Sequence, residues 1–166
     1  MKKLLITMLS AAILFGASAG TMYASEKPDL KVAVNEVIGT PYKWGGTTTE
    51  GFDCSGFILH IFNQFKIELP RTSKDQSLFG TLVEQVDLIP GDLVFFNTDG
   101  KGVSHAGIYL GDDQFAHSSS SKGVIISKLS DTYYKQRYTG ARRVIAEPIN
   151  LTLVEPTQVQ AEVPIK

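Results

Sequence analysis

The 166-residue chain holds one cysteine, Cys54, set in the stretch Gly51-Phe52-Asp53-Cys54-Ser55-Gly56-Phe57. A thiol attacks a carbonyl as thiolate, and its pKa falls at a helix N-terminus or beside a histidine. If Asp53 caps a helix, Cys54 takes the first helical position, where unpaired N–H groups and the helix dipole favour an anion. Gly51 and Gly56 leave room for a substrate to approach the backbone. The competing use is a buried structural cysteine, the usual fate of the residue.

A cysteine nucleophile needs a base, normally His, and a third group that orients it. The chain has three histidines. His60 lies six positions after Cys54 on the same helix, about 240° round at ~100° per residue, so it reads as structural or exposed. His105 and His117 flank the turn Gly111-Asp112-Asp113. A three-residue loop there pairs Leu110 with Gln114 and sets Gly107 opposite His117. His105 then becomes the diagonal neighbour of His117, with Cβ atoms roughly 7 Å apart or less. A two-residue turn would send the two rings to opposite faces. The competing reading is two unrelated strand histidines.

On the catalytic reading, His105 takes the thiol proton and later protonates the leaving amine. His117 fixes its tautomer. The N–H of Cys54 and the phenol of Tyr42 are candidate oxyanion donors. For Tyr42 and Trp44 the alternative is aromatic packing under a turn. The same Cys54, His105 and His117 could instead hold zinc with a fourth position open to water. A glycine-flanked helix start suits a nucleophile better than a ligand, so no metal and no cofactor are expected.

The elements that must carry these residues read as follows. Asp29 to Val37 has a helical pattern, with Leu30, Val32, Val34 and Val37 as core contacts and Gly39 as the stop. A turn-rich loop leads to a second helix from Cys54 to about Phe65, with Ile58, Ile61 and Phe65 as its buried stripe. A short third helix falls within Arg71 to Leu78. After Pro90-Gly91 the period changes to two. Asp92–Phe96, His105–Leu110, Gln114–Ser118, Val124–Ser127 and Tyr138–Val144 read as strands, with one helical turn in Asp131–Gln136. Helices first and strands second make the class α+β, with an antiparallel sheet of about five strands.

Residues 1–25 have a basic start at Lys2 and Lys3, an apolar run from Leu4 to Phe15, and the small-residue site Ala17-Ser18-Ala19, the layout of a signal peptide. The apolar run is shorter than the ~20 residues a membrane span needs. No cysteine sits at the cleavage site, so no membrane anchor is expected. Removing Lys2 and Lys3 takes the formal charge from -1 to -3, which leaves no basic excess for nucleic acid. Residues 26–146 are expected to form one domain. Residues 147–166, with three prolines and no glycine, read as an extended or disordered tail.

Six blocks occur in order: PYKWGG (41–46), FDCSGF (52–57), LPRTS (69–73), PGDLVFF (90–96), SHAGIYLG (104–111) and FAHSS (115–119). On these the chain resembles the NlpC/P60 cell-wall cysteine peptidases, from about Val34 to Val144. The resemblance implies a papain-like fold with Cys54 as nucleophile, His105 as base and His117 as the orienting residue. It places Tyr42 near the nucleophile, with Trp44 beside it in the same block, and Asp53 and Ser55 where the family binds the free amino end of its substrate. Arg71 matches a family arginine. The implied substrate is the stem peptide of bacterial peptidoglycan, cut between D-γ-glutamyl and the diamino acid, by an exported monomer. A retired, wall-binding relative on the same fold is the other class, and complete Cys-His-His residues argue against it. No added wall-binding domain is visible.

Overall fold

The computed structural model describes residues 29–145. The leader expected over 1–25 and the tail expected over 147–166 lie outside the described residues.

Helix α1, Leu30–Asn35, starts where the Asp29 carboxylate accepts the N–H of Lys31 and Val32. Its buried side is Leu30, Ala33, Val34 and Val37, spaced i, i+3, i+4, i+7. Val32 falls on the other side and is 48% exposed, so it is not a core contact. Gly39, with φ +83°, ends the turn that follows the helix, and its N–H donates to the Val124 carbonyl.

A small hairpin, β1 (Thr47–Thr48) with β2 (Gly51–Phe52), precedes helix α2, Cys54–Gln64. The hairpin is absent from the sequence reading because two-residue strands carry no period. Asp53 caps α2, its Oδ1 accepting the N–H of Gly56 at 2.6 Å. Phe57, Ile58, Ile61 and Phe62 are fully buried along it. Helix α3, Ser73–Gln76, is capped by Thr72.

The main sheet is antiparallel and has six strands: β3 (Thr81–Val83), β4 (Leu93–Phe96), β5 (His105–Gly111), β6 (Gln114–Ser119), β7 (Gly123–Lys128) and β8 (Tyr138–Arg143). Their order is β3-β8-β4-β5-β6-β7. The sequence reading of five strands lacks β3, a three-residue edge strand with two exposed positions and hence no legible alternation. Helix α4, Thr132–Lys135, is the helical turn between β7 and β8.

All of β4 is buried, because both faces of the sheet are covered. Leu93 and Phe95 join Ala106, Ile108 and Ala116 against α1 and α2. Val94 and Phe96 face the other way with Phe115 and Ala141, and Tyr134 and Tyr138 pack on that cluster. Asp92 anchors the start of β4 from a buried position, accepting two hydrogen bonds from Arg143 at 2.8 Å.

The β5–β6 turn corrects an expectation. It is a two-residue turn, Asp112-Asp113, both with positive φ (50° and 66°). Gly111 pairs with Gln114, yet Tyr109 pairs with Phe115 and Ile108 with Ala116. The register therefore shifts at Leu110, which is an extra residue on β5, a β-bulge. A two-residue turn alone would place His105 and His117 on opposite faces. The bulge adds the one-residue offset that restores the pairing expected from the longer loop. A Cβ built on Gly107 would lie 3.2 Å from the Cβ of His117, as residues facing each other across two strands must.

Candidate active site

Cys54, His105 and His117 line one cleft of about 910 Å³, together with Tyr42, Trp44 and Arg71. Cys54 opens α2, as the capping pattern predicts. Its thiol lies against the backbone N–H of Ala106, one residue beyond His105.

The two imidazoles meet edge to face. His105 Nε2 and His117 Nδ1 are 2.9 Å apart, and the ring planes cross at 88°. Each of those nitrogens is thereby engaged by the other ring, a hydrogen-bond geometry with no space for an ion between them. Among the described residues no group of three His, Cys, Asp or Glu side chains is placed to bind a metal. Nδ1 is the ring nitrogen that remains on His105, a residue that lines the cleft. His117 is fully buried, with its Nε2 3.0 Å from Ser127 Oγ and 3.2 Å from the Tyr134 hydroxyl.

Burial pushes the His105 imidazole down to about 4 and the His117 imidazole down to about 3. The Cys54 thiol moves up, first through burial and then through the Asp53 carboxylate, while the N–H groups of Ala106, Ser55 and Cys54 itself oppose the rise. The net direction differs from the depressed pKa expected at a helix start. Desolvation and the adjacent carboxylate outweigh the helix terminus here. The thiol and both imidazoles are therefore neutral near pH 7.

The opposite wall is charged. Asp53 Oδ2 accepts from Arg71 Nη2 at 2.6 Å and from the Gly45 N–H at 3.0 Å. Oδ1 accepts from Ser55 Oγ, Gly56 N–H and Arg71 Nη1. Arg71 Nη1 also donates to Ser55 Oγ at 2.9 Å. The guanidinium, with the Gly56 and Ser55 bonds, offsets the burial of Asp53 and holds its carboxyl below the usual range. Five donors fill the carboxylate, so its capping and ion-pair duties are geometric facts. A place for a further donor opens on it only if a present one moves aside.

Tyr42 stands half-buried in the same cleft as Cys54. Burial raises its phenol pKa, and the Cys54 and Asp53 charges raise it further. A backbone bridge to Phe52 fixes it. Trp44 does not pack under the turn, since 88% of it is exposed at the cleft rim. Its loop is rigid all the same. Gly46 donates to Lys43, Asp53 N–H donates to Gly46, and Gly56 passes so close to Gly46 that a Cβ would sit 2.0 Å from its carbonyl oxygen. His60 is structural, its ring 5.0 Å from that of Phe52.

The NlpC/P60 family matches residues 39–143. This chain belongs to the NlpC/P60 family. The NlpC/P60 domain accounts for all the cleft residues named above. Murein DD-endopeptidase MepS/Murein LD-carboxypeptidase of Escherichia coli (strain K12) is 47% identical over 109 residues, 65% of this chain and 57% of that protein. The gamma-DL-glutamyl hydrolase of Bacillus subtilis (strain 168) is 44% identical over 117 residues, 68% of this chain and 28% of that protein. The crystal structure of an NlpC/P60 family protein from Bacillus cereus ATCC 10987 superposes with a TM-score of 0.65 at 40% identity, over 71% of this chain and 41% of the other. The matched region is thus little more than half, or less, of each of these relatives.

Four residues around the NlpC/P60 cleft escape the sequence reading. Ser127 and Tyr134 hold His117. Gln76 donates to the carbonyl of Ser55, and Ser118 donates to that of Phe52, so both brace the turn that carries Cys54. Ser127 has a signal in the β6–β7 register: His117 pairs with Ile125, and Ser127 is the next residue on the same face. The others depend on contacts between distant segments and leave no local pattern.

Proposed function

We propose that this chain is a thiol-dependent endopeptidase of the bacterial cell wall, acting outside the membrane after loss of its leader. The observation that carries the reading is the 2.9 Å contact between His105 Nε2 and His117 Nδ1 in the cleft that also holds the only cysteine. The relatives named as murein endopeptidase and glutamyl hydrolase support the substrate class.

His105 Nδ1 accepts the thiol proton as the sulfur attacks the scissile carbonyl. Both groups rest neutral, so the proton moves during attack rather than before it. The carbonyl oxygen becomes an oxyanion, received by the Cys54 N–H and the Tyr42 hydroxyl. Collapse breaks the C–N bond, and the proton on His105 goes to the departing amine. A thioester remains. Water then gives a proton to His105 and attacks the thioester. The acid product leaves, and the proton returns to sulfur. An amine in place of water would make the same enzyme a transferase.

The base must stand beside the leaving nitrogen, so the amine side of the substrate lies toward the sheet and the acyl side toward Tyr42, Trp44 and Arg71. We assign the acyl end to a γ-linked glutamyl unit with a free amino group before it. Ser55, Asp53 and Arg71 form that end, and an ammonium group would take its place on Asp53 by displacing an Arg71 contact. The leaving group is a diamino acid.

Mass spectrometry of purified muropeptides, digested by wild type and by Cys54→Ala in parallel, tests the reading. Fragments ending in free γ-glutamate, produced by wild type alone, are expected. Equal cleavage by the variant removes the nucleophile assignment, and cleavage at a D-Ala linkage instead overturns the bond.

A further inference from the structure

The orienting histidine is held from behind by groups outside the three-residue set. His117 is fully buried, so water does not complete its hydrogen bonding, and both ring nitrogens must find partners in the protein. Packing alone sets the ring plane: Phe115 stacks on it at 4.9 Å and 23°. Stacking does not distinguish the two tautomers of a neutral imidazole. Only the hydrogen-bond partners do.

Those partners are asymmetric. Nδ1 faces His105 Nε2, whereas Nε2 faces two hydroxyl oxygens, Ser127 Oγ at 3.0 Å and Tyr134 Oη at 3.2 Å. Ser127 reaches it from β7 and Tyr134 from the single turn of α4. Tyr134 is fixed edge-on against Phe96 at 5.3 Å and Phe115 at 4.9 Å between ring centres. Tyr134 and Ser127 both line the cleft.

A hydroxyl can donate or accept, so both tautomers of His117 can be satisfied. Only one suits His105 as a base: His105 Nε2–H donates to His117 Nδ1, His117 Nε2–H donates to the two oxygens, and His105 Nδ1 is left to accept the thiol proton. The reverse tautomer of His117 carries its proton on Nδ1. His105 must then accept at Nε2 and carry its own proton on Nδ1, the atom that has to receive one from sulfur. A base in that state cannot act, whatever its position.

We propose that Ser127 and Tyr134 are positioning residues that keep the His117 proton on Nε2 and so keep His105 competent as a base. This rests on the assignment of His105 above, but its first readout is independent of turnover. Correlation spectra of the ¹⁵N-histidine-labelled full chain show which nitrogen of His117 carries the proton. Wild type is expected to show Nε2–H. The double variant Ser127→Ala, Tyr134→Phe keeps the packing and removes both oxygens. It is expected to show a mixture of tautomers, with kcat on muropeptides reduced about 10-fold or more and KM little changed. Ser127→Thr restores a hydroxyl at position 127 and is expected to recover both readouts where Ser127→Ala alone is impaired. Should the double variant unfold, the Ser127→Ala and Ser127→Thr pair carries the same comparison. Wild type with its proton on Nδ1, or an oxygen-free variant that keeps Nε2–H and wild-type kcat, overturns the proposal. A folded wild type that shows Nε2–H yet cleaves no muropeptide leaves this tautomer lock standing and removes the function proposed above.

Discussion

The two walls of the cleft solve the same problem by opposite physics. On the α2 side, Asp53 and Arg71 are charged and, with Ser55, hydrogen-bonded to one another, and the guanidinium offsets the cost of burying the carboxylate. On the sheet side, His105 and His117 are desolvated, uncharged and held by residues from four separate elements. One wall gains precision from charge and local geometry, the other from strand register and packing. The charged wall should therefore yield to electrostatic changes, and the neutral wall to steric ones.

The largest effect is expected where register and packing coincide. A Cβ on Gly107 would meet the Ala116 carbonyl oxygen at 2.7 Å and Phe115 Cδ2 at 2.6 Å. The first is backbone and cannot swing away, so Gly107→Ala must push β5 from β6 and stretch the contact between the imidazoles. A misplacement of this kind costs roughly 100-fold or more in kcat. Overpacking adds about 1–3 kcal/mol of destabilisation. Steady-state kinetics with thermal melts check both, and an alanine variant with wild-type kcat would show that the hairpin does not set the site.

On the charged wall, Asp53→Ala removes the α2 cap and strands Arg71. Loss of the cap alone costs about 0.5–2 kcal/mol. Arg71→Met removes the guanidinium and leaves the cap. It should raise KM with a small change in kcat if the guanidinium belongs to the acyl end of the site. Equal losses of stability in the two variants would mean that Arg71, not the cap, holds the turn.

The same contrast explains what could be read from sequence. Asp53 as cap and Cys54 as first helical residue follow from neighbours in the chain, and both are where that pattern puts them. The strand pattern places His105 and His117 on strands, and their shared face survives although the turn is shorter than expected, because Leu110 supplies the missing offset. A bulge leaves no mark in an alternation of apolar and polar residues. Val32 misleads for a related reason: in a six-residue helix one valine too many fits more than one stripe. β3 is too short to show a period, and Ser127 and Tyr134 matter only once β7 and α4 are folded against His117. The local cap was legible, and what the register and the distant contacts add was not.

The neutral wall predicts a stability that depends on pH. Both imidazoles titrate near 6.5 when unfolded, but at about 4 and about 3 when folded. Between 6.5 and 4 the unfolded chain binds more protons, so stability is complete above pH 6.5 and is lost as the pH falls through this window. Each group contributes a slope of at most ~1.4 kcal/mol per pH unit. Asp53, whose folded pKa lies below 3.8, adds to the loss only at still lower pH. Denaturant melts from pH 7.5 to 4 check the sign. His117→Asn, which cannot titrate, should flatten the slope, and an unchanged slope would place the extra protons elsewhere.

The smallest effect is expected at the rim. Trp44 is 88% exposed, so its removal uncovers almost nothing and leaves almost no cavity. Surface changes of this kind usually stay within about 0.5 kcal/mol. Yet the loop beneath it is pinned to Asp53 and Gly56 and cannot fold the ring away. A large apolar face held rigidly in water in the cleft of Cys54 is suited to contact substrate. Trp44→Ala should therefore leave the melting temperature unchanged and raise KM several-fold, with kcat kept. A fall in stability instead of affinity would return this residue to a structural role and leave the acyl side of the cleft defined by Tyr42 and Arg71 alone.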